Sequence, residues 1–316
     1  MATDSAGFTT RSSSGHSLAG ELARAARGAD AALPVLRHLL ASDGPSLVNE
    51  AVVARVRGML HDLAWQLCAG GRKPLVAPPD SMPLVDTLAE RLAADSAVLA
   101  HVHALAIESH LAERFEQRMS LDPVLSPLLQ ELIASSDQAV AGLAMQVLTA
   151  QTRFMQRQRR MELPLEELPA DLFHAICRLA GGIGGPAAAS GLAALKADYD
   201  EGATRLALLA RLAVAMHRAV TACLSFDRAG IALFTQGVTA LAGIPRAQVV
   251  LMCHEQQAVR LALALRAAGL DLAGIERQML VMAAPAAPLL QAAELTPQQA
   301  RAFLADHAAY PPAEHG

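Results

Sequence analysis

Apolar side chains recur along this chain with a 3.6-residue period in one segment after another, and that pattern admits little besides packed amphipathic helices. The residues used reinforce it. Alanine and leucine, both strong helix formers, supply most of the apolar content, while aromatic residues make up 3% of the chain and strand-favouring side chains are scarce. With 53% hydrophobic and 18% charged residues, the 316-residue chain can bury a large core. The expected class is all-α.

Period and break signals place helices at about 17–26, 29–41, 47–68, 82–94, 96–120, 123–134, 137–160, 170–179, 192–198, 202–223, 227–241, 245–268, 272–282 and 297–309. Asp122-Pro123 reads as an N-cap acid followed by proline at the first helical position, and Ser135-Ser136-Asp137 caps the next helix. Thr296, Pro297 and Gln299 have the spacing of a capping box. The Gly/Pro-rich stretch 69–80 and the stretches 163–169 and 180–191 are the breaks. The organisation expected is a disordered tail over 1–15, an N-terminal helical subdomain over 16–180, and a C-terminal one over 192–310, hinged at about 181–191.

The helices at 123–134 and 137–151 have the layout of a HEAT-type repeat. Leu128, Leu129, Leu132 and Ile133 form the inner stripe of the first, and Val140, Ala144, Val147 and Leu148 the matching stripe of the second. One such unit cannot bury its own apolar face, so stacked neighbours are expected, in a HEAT-like helical-repeat or helix-bundle architecture.

The segments Leu148-Thr-Ala-Gln-Thr-Arg-Phe-Met-Gln-Arg-Gln-Arg-Arg-Met-Glu-Leu-Pro-Leu-Glu-Glu-Leu-Pro169, Phe234-Thr-Gln-Gly-Val-Thr-Ala-Leu-Ala-Gly-Ile-Pro245 and Leu265-Arg-Ala-Ala-Gly-Leu270 carry a resemblance. In them the chain resembles an uncharacterised, mainly alphaproteobacterial family of HEAT-like all-helical proteins, a domain of unknown function. The resemblance implies a helical fold and a cytoplasmic bacterial setting, and it carries over no catalytic residue.

The net charge of −4 argues against a general nucleic-acid binder. Cys68, Cys177, Cys223 and Cys253 are widely spaced, form no CxxC, and each sits in an apolar stretch, so they read as small buried hydrophobes in a reducing compartment. The polar start of the chain has no apolar core of a secretory signal. Arg211, His217 and Arg218 interrupt the apolar stretch 206–224, and the stretch 279–293 is short and holds Pro285 and Pro288, so no membrane span is expected.

His101, His103 and His110 share one helix, but none of their spacings is the i, i+4 that a zinc pair on a helix requires. Cys253-His254-Glu255 offers a thiol and an imidazole on adjacent positions, about 100° apart, which cannot bond each other; His217 or His174 would have to supply the base. Gly181-Gly-Ile-Gly-Gly185 lacks the Lys-Ser/Thr of a phosphate loop and follows a helix, so it reads as a connector. No catalytic residue, cofactor or metal site is expected.

Two basic features remain. Arg153, Arg157, Arg159 and Arg160 close a long helix, where they complement its dipole or form a docking patch for a partner. Segment 235–253 scans as a helix-turn-helix with Gly243 at the turn, but Arg246 is its only basic residue near the second helix, which continues into apolar Val249–Cys253. The expected function is a non-enzymatic helical scaffold that binds a protein partner through the arginine face. The alternatives are a DNA-binding regulator using Arg246, and a ligand-binding protein or enzyme with a cleft near 180–191.

Overall fold

The computed structural model describes residues 9–41, 50–70, 82–181, 186–283 and 294–307. Regular structure in them is entirely helical, with no strand among the described residues. The α-helices are α1 (Thr9–Asp30), α2 (Ala32–Ala41), α3 (Glu50–Cys68), α4 (Met82–Ala94), α5 (Ser96–Met119), α6 (Pro127–Ile133), α7 (Gln138–Arg159), α8 (Ala170–Gly181), α9 (Pro186–Asp198), α10 (Arg205–Ala215), α11 (Phe226–Ala242), α12 (Arg246–Met252), α13 (Ala258–Ala267), α14 (Leu272–Met282) and α15 (Pro297–Asp306).

They form two compact units, one over 33–216 and one combining 1–32 with 217–316. The division therefore falls between Met216 and His217 rather than at the expected hinge over 181–191. Residues 182–185 of that stretch lie outside the described residues, but α9 already begins at Pro186 and packs against α3 and α8 within the first unit. Gly191 shows why glycine is used there: a Cβ on it would collide with the backbone oxygen of Gly70. It serves close helix contact, not freedom of movement. Of the expected tail over 1–15, residues 1–8 lie outside the described residues and 9–15 belong to α1.

In the 33–216 unit, α3 packs on α4 and α5, and α7 packs on α6 and α10. Val56, Met59, Leu63 and Leu67 of α3 and Leu99, Val102 and Ala106 of α5 are fully buried. Polar bonds tie these helices to the connection after α7. Buried Asp62 accepts the N–H of Leu163 at 3.0 Å, and Gln66 accepts that of Leu165 at 3.0 Å while donating to the Leu163 carbonyl at 2.9 Å. Arg55 donates to both oxygens of Glu113, at 3.0 and 3.1 Å.

The α6–α7 pair forms as the stripes require: Leu128, Leu129, Val140, Ala144 and Val147 are buried, and Leu132, Ile133 and Leu148 half-buried. Its start differs. Asp122 accepts the N–H groups of Val124 and Leu125, capping a turn, while α6 begins at Pro127 with Ser126 as its cap.

In the second unit α13 is largely buried, with Leu261 through Leu265 each 1% exposed or less, although Arg260 and Arg266 interrupt its apolar surface. It packs against α11, α12, α14, α15 and α1. The capping box at Thr296 and Gln299 is formed. Two long helices read from the sequence are broken instead. That over 202–223 stops at Ala215 and resumes as a 3-10 helix, His217–Leu224, after His217 takes a positive φ of 49°. That over 245–268 divides into α12 and α13 around a 3-10 turn at Glu255–Gln257. Among the described residues no single helix is long and apolar enough to cross a membrane.

Candidate partner-binding surface

Asp137 starts α7 by accepting the N–H groups of Ala139 and Val140, at 2.9 and 3.3 Å. From there Val140, Ala144, Val147, Gln151, Phe154 and Gln158 repeat on one face and are buried. Helical geometry then turns Gln146, Thr149, Arg153, Gln156 and Arg160 outward, and all five are exposed.

The four arginines of this region do not act as one group. Arg153, Arg159 and Arg160 are exposed, and among the described residues no side-chain hydrogen bond or ion pair engages them. Arg157 is half-buried and turned to the 3-10 turn Leu165–Glu167, with its guanidinium nitrogens 3.6 Å from Glu167 and 3.9 Å from Glu166. It holds the chain connection, so the i, i+4, i+7 face over 153–160 pairs exposed Arg153 and Arg160 with an Arg157 engaged in the fold.

Beneath this face lies an arrangement the sequence reading did not find. Arg205, the first residue of α10, is 3% exposed and donates to both oxygens of fully buried Glu108, at 2.8 and 2.9 Å. It also donates to Gln151 at 3.0 Å, and its guanidinium carbon lies 3.7 Å from the Phe154 ring centre. Its backbone N–H donates to Glu167 at 3.0 Å. α5 and α7 therefore meet α10 on the guanidinium of Arg205, and the 165–167 turn meets it on the backbone of the same residue. The available signal was Glu108 within a mostly apolar stretch of α5, and nothing in the sequence names its partner.

Beside this junction an open groove of about 470 Å³ is lined by Gln146, Thr149, Arg153, Glu167, Asp200 and Arg211, among others. Its acids are engaged internally: Asp200 accepts the Gly202 N–H at 2.9 Å, and Glu167 accepts the Arg205 N–H. Arg211 donates one bond, to the Gly202 carbonyl at 3.3 Å. Among the described residues no acceptor engages the guanidinium of Arg153.

Arg246 is placed differently from a DNA-reading residue. It is half-buried, and its Nη2 donates to the Ala232 carbonyl of α11 at 3.5 Å. Gly243 ends α11 in the left-handed conformation, φ 71°, as the turn required. The helix after it is seven residues long, and Val249, Val250, Leu251 and Met252 are buried. A two-helix packing unit results, without an exposed basic face.

The other candidates are dispersed. His103 is buried and His101 and His110 half-buried on α5, and no group of three or more metal-ligating side chains gathers among the described residues. None of the four cysteines forms a disulfide among the described residues. Burial pushes Cys223 up to about 12, and raises Cys177 against the opposing pull of Lys196. Cys253 donates to the Val249 carbonyl, and His254 accepts the Gln256 N–H as a local cap. His174 stands edge-on to Phe173 and Tyr199, which stack 4.1 Å apart. His174 and Cys177 belong to the first unit, Cys253 and His217 to the second.

No family model, curated protein or solved structure matches this chain.

Proposed function

We propose that this chain is a non-enzymatic helical adaptor that binds a protein partner across the exposed face of α7, with Arg153 and Arg211 at the centre of the contact and Arg159 and Arg160 at its edge. One observation carries the reading: Arg153 lines an open groove in which the carboxylates are already engaged and, among the described residues, its own donors are not. Such a guanidinium suits a carboxylate from outside, and arginine is enriched where partners dock. The α6–α7 pair acts as one HEAT-like unit, and the use of such units as binding surfaces is an argument by fold analogy. The resemblance to the alphaproteobacterial family supports a bacterial cytoplasmic setting.

Affinity capture from a bacterial lysate tests this, comparing wild type with an Arg153→Glu/Arg159→Glu/Arg160→Glu variant whose helicity is verified. Arg157 is left in place because it holds the 165–167 turn. A protein retained by wild type and lost by the folded variant is the expected result. Identical recovery by both removes this face from consideration.

A further inference from the structure

In the second unit, α1 lies on α13 with Leu22 and Ala26 buried. On the first turn of α13, Arg260 is only 2% exposed, one of the largest fully buried side chains among the described residues. Among the described residues its Nε and Nη2 have no hydrogen-bond acceptor. Beside it, Gln257 donates to the Ala25 carbonyl of α1 at 3.0 Å, while its own buried side-chain oxygen is unpartnered. Burial pushes the Arg260 guanidinium below its usual value, and the Asp30 carboxylate at the end of α1 pulls the other way. A buried cation with idle donors is costly, so α1 covers this face without satisfying it.

We infer that the Arg260–Gln257 face of α13 is a helix-binding surface, which α1 occupies as an incomplete ligand and from which a partner helix presenting an added carboxylate toward Arg260 displaces it. The occupant is an Ala/Gly-rich helix end bearing acidic residues, since Ala25, Ala26, Gly28 and Asp30 are what α1 itself brings there. A Cβ at Gly28 would stand 3.8 Å from Gln257 Nε2, an ordinary van der Waals distance. The inference is independent of the α7 reading.

The test is amide hydrogen exchange of the full-length protein, followed over residues 19–30 by mass spectrometry. The probes are synthetic peptides of residues 9–30 carrying Gly28→Glu or its neutral isostere Gly28→Gln, at about 1 mM, the order of a tethered segment's effective concentration. The Gly28→Glu peptide should accelerate exchange over 19–30 through displacement, and bind about ten-fold tighter than the Gly28→Gln peptide, the value of one charge-assisted hydrogen bond. In an Arg260→Leu chain that preference should vanish. Unchanged exchange over 19–30 with the Gly28→Glu peptide, or equal effects of both peptides on wild type, would overturn the inference, and the wild-type comparison stands even where the Arg260→Leu chain fails to fold.

Discussion

Arg205 and Glu108, 97 residues apart in sequence, form a bidentate ion pair with both side chains buried. Single and double substitutions there should diverge sharply. Glu108→Ala strands a buried guanidinium and should cost about 3–5 kcal/mol, whereas Glu108→Leu with Arg205→Met should lie much closer to wild type. Urea denaturation midpoints of the two variants against wild type decide it, and equal losses for single and double changes would contradict this view of the pair.

Arg157 and Arg160 should separate by role. Arg157→Ala removes a partly exposed ion pair with Glu167 and should cost up to about 1 kcal/mol. Arg160→Ala should fall within about 0.5 kcal/mol of wild type. Thermal melts at low and high salt check both, since only the Arg157 effect should shrink with salt.

Two glycines should respond with opposite sign. Gly191→Ala drives a methyl group into the Gly70 backbone and should cost about 1–3 kcal/mol as an overpacked contact. Gly142→Ala meets nothing within 4 Å on the exposed side of α7 and should stabilise by about 0.5–1 kcal/mol. Calorimetric midpoints are the readout.

The elements that the sequence made legible are those closed by local chemistry. α4 and α14 match their expected bounds, and the capping box at Thr296 forms as its spacing required. The breaks near Met216 and Cys253 carry neither glycine nor proline and were invisible. Tertiary packing makes them: Val220, Cys223 and Leu224 are buried against α11, where Gly237 leaves no room for a Cβ. Exposure of Arg153 and Arg160 could be read from the buried stripe opposite. The partner of Arg205 could not, because ion pairing between segments 97 residues apart leaves no periodic signal.

Alkaline pH should weaken the fold through Cys223. Its thiol is raised from 9.0 to about 12 by burial, so the folded chain holds a proton that the unfolded chain releases. This contribution is fully present below pH 9 and is lost as pH rises toward 12. Stability followed by circular dichroism over that range should fall less steeply in Cys223→Ala than in wild type. Tyr199, also raised to about 12, adds to the same loss in both proteins.

The most direct test of the adaptor reading is photo-crosslinking in living bacteria, with a benzophenone side chain at Thr149 in the groove or at exposed Glu90 on α4. The account predicts a discrete adduct from Thr149 that disappears with Arg153→Glu and is absent from Glu90. No adduct at Thr149, or the same adducts from both positions, would contradict it.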